Sequence, residues 1–319
     1  MTSIGLAAAM AAAVVLIFGP FLIPVLVKLH CGQSIRGEGP ASHQKKSGTP
    51  TMGGLMLLLA ITLGTLAAVG SEPSVLLALF VTLGHGAIGF LDDYIKVVKK
   101  RNLGLRAREK LAGQIFMAAL VAFLGNRFLG LTTALWVPFA AAPVDLGVFY
   151  YILVFFVFVG TTNAVNLTDG LDGLATGTVA IAMGTYALVC LSLGKAALAA
   201  FCAATAASAV AFLRFNAHPA RIFMGDTGSL ALGGALAAVA VLTKTELLLI
   251  FIGGVFVAEA LSVIIQVVSF QTTGRRVFRM SPLHHHFEMG GWPETKVVYV
   301  FWLAGAMCSL LALWIGKVG

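Results

Sequence analysis

The sequence predicts an all-α integral membrane protein, one polytopic domain over 1–319, with about ten transmembrane helices. Both termini are expected outside and a functional site on the cytoplasmic face. Three observations predict this. Hydrophobic residues make up 59% of the 319 and charged residues 11%, against about 25% charged in soluble domains. Mean hydropathy is +0.96. The apolar residues fall in runs of spanning length, and the charges gather at the ends of those runs with a bias of sign.

A spanning helix needs about 20 mostly apolar residues. That ruler gives ten segments, roughly 4–29, 53–70, 75–95, 111–127, 148–166, 172–193, 196–214, 228–243, 246–270 and 296–317. The first has no basic segment before it and is long for a signal-peptide core, so it reads as a retained helix. The eighth is short. The ninth is long and carries Gly253-Gly254, which marks either close packing or a break. The pairs Gly53-Gly54 and Gly233-Gly234 read as close helix packing. Between the closely spaced segments, Gly194-Lys195 and Lys244-Thr245 supply tight turns.

Ten spans put both termini on one side. With the N-terminus outside, all but four of the 21 Lys and Arg fall inside; the exceptions are Arg127, Lys195, Lys244 and Lys317. Positive charge favours the cytoplasmic side, so this orientation is preferred over its inverse. The net charge of +8 is thereby explained by topology. No basic face or aromatic platform accompanies it, so nucleic acid is excluded as a partner. Cys31, Cys190, Cys202 and Cys308 form no C-x-x-C pair and read as small apolar residues or free thiols.

Five of the six aspartates sit at run ends on the predicted cytoplasmic face: Asp92 and Asp93 in GFLDDY, Asp169 and Asp172 in NLTDGLDGLA, and Asp226 in FMGDTGS. Acids this close to a bilayer are costly and usually functional. Asp92 and Asp93 are adjacent, so on a helix they point about 100° apart and do different jobs. Carboxylates are also unfavourable near a helix C-terminus, which argues against an ordinary helix end. Asp169 and Asp172 share a face if helical, and Thr168 or Asp169 is an alternative helix cap. Asn163 and Asn166 precede them. Asp226 opens the eighth helix, where free N–H groups attract anions. Asn216 and His218 lie just upstream of it. Gln44 to Gly54 offers Lys45, Lys46, Thr51 and glycines suited to a polyphosphate, although it is no P-loop. The run from Lys99 to Lys110 reads as topology and anionic-lipid contact. Of His284, His285 and His286, one or two are expected to contact phosphate or sugar; a zinc site would need spaced ligands. Glu259 is the only acid deep within a segment. Together these groups suggest a divalent metal and a phosphorylated substrate.

The motifs KKSGTPTMGG, GFLDDY, NAVNLTDGLDGLA, FNAHPARIFMGDTGS and SPLHHHFE resemble the phospho-N-acetylmuramoyl-pentapeptide transferase family. This is a branch of the polyprenyl-phosphate N-acetylhexosamine-1-phosphate transferases of the bacterial inner membrane. The resemblance runs in order along essentially the whole chain. It implies transfer of phospho-MurNAc-pentapeptide from UDP-MurNAc-pentapeptide to undecaprenyl phosphate in peptidoglycan biosynthesis, with Mg2+ required and a homodimer. By the same resemblance Asp226 is the metal ligand and Asp92 and Asp93 the catalytic pair. Asn166, Asp169, Asp172, Asn216, Thr51, Gln266, His285, His286 and Lys45 or Lys46 line the nucleotide-sugar site.

The residues agree with that chemistry, since phosphoryl transfer needs alignment and charge neutralisation above all. Direct attack by the lipid phosphate and a covalent aspartyl route both remain open. Two other readings compete. A sibling enzyme would use UDP-GlcNAc. An ion-coupled transporter would also bury acids, but near the midplane, whereas these lie at helix ends.

Overall fold

The computed structural model describes residues 2–29, 48–98, 104–140 and 142–318. Lys45 and Lys46 lie outside the described residues. The helices, in chain order, are α1 (Thr2–Lys28), α2 (Gly54–Val69), α3 (Pro73–Val98), α4 (Ala107–Leu129), α5 (Phe149–Thr168), α6 (Leu174–Ser192), α7 (Ala196–Asn216), α8 (Gly225–Thr243), α9 (Glu246–Ile252), α10 (Gly254–Thr273), α11 (Leu283–Glu288) and α12 (Glu294–Val318). Among the described residues nine helices are long and apolar enough to cross a membrane, and α2, at 16 residues, is a shorter apolar helix. The fold is thus the helical membrane bundle that composition predicts.

Helix α8 is the centre. Every residue from Thr227 to Thr243 is buried, and α3, α5 and α2 pack along it. Lipid is as apolar as leucine, so burial alone does not hold such helices together; small residues that let backbones meet do. The glycine pairs serve this purpose. A methyl group on Gly54 would lie 2.1 Å from the Gly228 nitrogen, and one on Gly233 2.6 Å from the Thr162 Cα. Helix α1 follows the same logic. Ala7, Ala11, Val15, Gly19 and Ile23 form its buried i, i+4 stripe, and Gly64 of α2 fits against Ala7 and Ala11.

The ninth segment is broken at Gly253 into α9 and α10. Gly254 approaches Cys308 of α12 so closely that a methyl group would sit 2.7 Å from its sulfur. The glycine pair is therefore both a packing contact and a break. The expected tight turns are present, with positive φ at Gly194 and Lys244. Cys190, Cys202 and Cys308 are free thiols.

Two elements are absent from the sequence-based expectation. A small antiparallel hairpin, β1 (Ala134–Leu135) with β2 (Val144–Asp145), fills the α4–α5 connection. Two-residue strands are too short to leave a period-2 pattern. The second element is α11, formed by the histidine motif itself. The alternative reading of Thr168 or Asp169 as the cap of the sixth helix is not realised. Gly173, with φ of 79°, starts it without a side-chain cap, and Asp169 instead ends α5.

Candidate active site

Helix α3 runs past its aspartates to Val98, which places Lys96 one turn beyond Asp92. Its C-terminal end meets the N-terminal turn of α8. Gly89 makes this approach possible, since a methyl group there would stand 2.1 Å from the Asp226 carbonyl oxygen. Carboxylate oxygens of Asp92, Asp93 and Asp226 consequently lie within 4.8 Å of one another.

The adjacent aspartates do different work, as their angular separation predicts. Asp93 accepts hydrogen bonds from the Asp226 N–H (3.1 Å), the Thr227 N–H (2.9 Å) and the Thr227 hydroxyl (2.7 Å). It thereby satisfies donors that an α-helix leaves unpaired at its start. Asp92 faces the cations. Lys96 Nζ is 2.5 Å from Asp92 Oδ2 and 3.2 Å from Asp226 Oδ2; Lys110 Nζ is 3.1 Å from Asp92 Oδ1 and 2.5 Å from Asp226 Oδ2. The Leu105 N–H also donates to Asp92 Oδ1 at 2.7 Å. Asp92 and Asp226 thus share two ammonium groups. The Asp226 side chain keeps 15% of its surface exposed, whereas Asp92 keeps none. Asp226 is therefore the carboxylate open to a soluble ligand.

Asn166 joins this cluster, donating to Asp226 Oδ1 (3.1 Å) and to the Ser229 hydroxyl (2.8 Å). Thr51 arrives by backbone pairing. Phe223 N–H donates to the Pro50 carbonyl, while Gly53 and Gly54 N–H groups donate to the carbonyls of Phe223 and Met224. The TPTMGG and FMGDTGS motifs are thereby laced together. A methyl group on Gly225 would meet both Asp93 Oδ2 (2.5 Å) and the Thr51 hydroxyl (2.6 Å). Beside Thr51, Met52 holds φ at 72°, a conformation that costs a non-glycine residue about 1–3 kcal/mol and tends to persist at functional sites.

The remaining expected residues stand apart from that cluster. Asp172 accepts from the Ala220 N–H (3.0 Å) and pairs with His218 (3.2 Å), while its own N–H donates to Glu294 (2.7 Å). Asp172, His218 and Glu294 form a second group whose ligand atoms lie within 4.8 Å. Asn216 is buried, taking the Thr176 hydroxyl and donating to the Ile222 carbonyl. Gln266 pins the chain after α10 through Val277 and Phe278. On α11, His285 pairs with Glu288 and His286 accepts the Arg279 N–H. This helix abuts the 169–173 turn, because a methyl group on Gly170 would sit 2.3 Å from His284 Nε2.

Sequence reasoning missed Lys110 by reading its charge run as topology and anionic-lipid contact. Nothing local reveals that it meets Asp226, 116 residues away. Lys96 was missed as well, although its i, i+4 spacing from Asp92 is a signal that could have found it.

Three carboxylates with one exposed oxygen-bearing side chain fit a small hard divalent cation, which prefers oxygen ligands. A multi-pass helical bundle with such a cluster at its helix ends suits a membrane-embedded transferase of phosphorylated groups. The Glycosyl transferase family 4 profile matches residues 75–244, and signature 1 of the phospho-N-acetylmuramoyl-pentapeptide-transferases matches residues 46–58. The chain is 56% identical over 317 residues to the phospho-N-acetylmuramoyl-pentapeptide-transferase of Geobacillus kaustophilus (strain HTA426), covering 98% of each. It is 54% identical over 321 residues to that of Desulfitobacterium hafniense (strain DSM 10664 / DCB-2), covering 97% of this chain and 96% of the relative. For Bacillus subtilis (strain 168) the identity is 54% over 303 residues, with 94% and 93% covered. The chain belongs to the phospho-N-acetylmuramoyl-pentapeptide-transferase family.

Proposed function

We propose that this enzyme transfers phospho-MurNAc-pentapeptide from UDP-MurNAc-pentapeptide to undecaprenyl phosphate, giving lipid I and UMP. The observation that carries the reading is 56% identity to a transferase of that name over 98% of both chains. The gathering of Asp92, Asp93 and Asp226 at one end of the bundle supports it.

In the proposed reaction an oxygen of the lipid phosphate attacks the β-phosphorus of the UDP-sugar. The bond from that phosphorus to the bridging oxygen breaks, and UMP leaves with the electron pair. A phosphate near neutral pH is largely ionised, so the attacking group needs positioning more than a strong base. Asp93 is committed to the first turn of α8, which leaves Asp92 to orient Lys96, whose ammonium positions the lipid phosphate. Lys96 and Lys110 offset charge on the diphosphate. Asp226, with Asp92 beside it, would hold magnesium. When bound, the ion neutralises the diphosphate and improves UMP as a leaving group. Asn166 orients Asp226. Thr51, Asp169, Asp172, Asn216, Gln266, His285, His286 and Lys45 or Lys46 belong to the nucleotide-sugar side of the site.

The lipid substrate explains the placement at helix ends: its phosphate stays at the interface while its tail remains in hydrocarbon. We further infer that the site faces the cytoplasm with both termini outside, that residues 1–319 act as one domain, and that the enzyme works as a homodimer.

The test is UMP release by detergent-solubilised protein given UDP-MurNAc-pentapeptide, undecaprenyl phosphate and Mg2+. Turnover without any membrane gradient, abolished by EDTA, is expected. Turnover with UDP-GlcNAc instead would move the enzyme to the sibling branch. Trapping a phospho-sugar on Asp92 or Asp93 without lipid would replace direct attack by the covalent route.

A further inference from the structure

Glu259 and His284 are buried charged-type groups that the proposed mechanism leaves unused. Glu259 lies in α10, and its side chain is fully shielded. Its Oε1 is 3.0 Å from Nδ1 of His284, whose side chain is 1% exposed. Among the described residues neither Glu259 Oε2 nor His284 Nε2 has a hydrogen-bond partner. A buried carboxylate is costly unless a partner compensates it, so retaining one here calls for a use.

The pair joins α10 to α11. His284 opens α11, and its ring stands 4.1 Å from that of His285. Its Nε2 edge faces Gly170, at a spacing that admits no side chain at position 170. Gly170 lies between Asp169 and Asp172. One imidazole therefore sets the distance between α11 and the turn carrying both acids, and Glu259 sets the imidazole. The neighbouring pair His285–Glu288 lies within α11.

We propose that Glu259 is a positioning residue for nucleotide-sugar binding. It accepts the Nδ1–H of His284, fixes the tautomer and tilt of the ring, and so holds His285 and His286 against the 169–172 turn. A carboxylate commonly orients an imidazole in this way. This role rests on the proposed assignment of those residues to the nucleotide-sugar side.

The test compares E259Q, E259L and H284N in detergent, measuring UMP release against each substrate and thermal unfolding of each variant. An amide oxygen still accepts the Nδ1–H, so E259Q should stay within about threefold of the unaltered enzyme. E259L should raise KM for the UDP-sugar by about tenfold or more, with kcat changed less and KM for the lipid phosphate unchanged. H284N should show the same split, and E259L/H284N should be no worse than the worse single variant, as expected of groups acting as a unit. Unchanged UDP-sugar KM in folded E259L overturns the proposal. So does a KM rise shared equally by both substrates, or E259Q as impaired as E259L. Should E259L fail to fold, H284N and E259Q decide alone: unchanged UDP-sugar KM in H284N, or a tenfold rise in E259Q, overturns it. Failure of the unaltered enzyme to release UMP would instead remove the underlying assignment.

Discussion

At the scale of residues, the cluster divides labour among three carboxylates by what each one touches. Asp93 is tied to the first turn of α8 by three donors. Asp93→Asn turns one acceptor into a donor facing N–H and O–H groups, and should cost about 1–3 kcal/mol of stability, measured by thermal unfolding in detergent. Asp226 is the exposed member, and Asp226→Asn should lower kcat by about a hundredfold or more with the fold retained, since it removes the charge proposed to act at the reacting phosphates. Full magnesium-dependent turnover by that variant would reject its metal role. Lys110 sits between Asp92 and Asp226. In Lys110→Met the pocket becomes more negative, so the magnesium concentration for half-maximal UMP release should fall while kcat drops. The aspartates were legible because acids in an apolar chain stand out against their surroundings. Lys110 was not, because its meaning lies in a partner brought near only by folding.

At the scale of elements, glycines decide where helices meet. Gly89 on α3 and Gly54 on α2 each bring a backbone against the first turn of α8, and the nearest atoms are main chain that cannot rotate away. Gly89→Ala should therefore displace the turn bearing Asp226, destabilising the fold by about 1–3 kcal/mol and lowering turnover. Unfolding temperature and UMP release measure the two effects; an unchanged protein would show that the turn yields freely. The glycine pairs were readable as packing signals. Their partners were not, since a glycine carries no side chain to announce its neighbour. The break at Gly253 was one of two readings of the sequence, and the approach of Gly254 to Cys308 shows that both apply. The helix α11 was unreadable because a single turn of histidines has no apolar period.

At the scale of the whole molecule, the charge bias leads us to propose that the cluster's end of the bundle faces the cytoplasm. With the native cysteines replaced by serine, Ser71→Cys in intact cells should react with a membrane-impermeant maleimide, while Arg276→Cys should react only after lysis. The reverse pattern would invert the topology. The sequence by itself determined that this chain is a membrane bundle, roughly where its helices run, and which acids stand out at the ends of its spans. Those properties follow from local composition: apolar length sets spans, and a charge near lipid is expensive wherever it falls. Only the tertiary structure decided which acids share a site. It drew Asp92, Asp93 and Asp226 together around Lys96 and Lys110, sent Asp172 to His218 and Glu294, and buried Glu259 against His284. Such pairings depend on distances between helices far apart in the chain, which are set by backbone approach at small residues and leave no trace in local pattern.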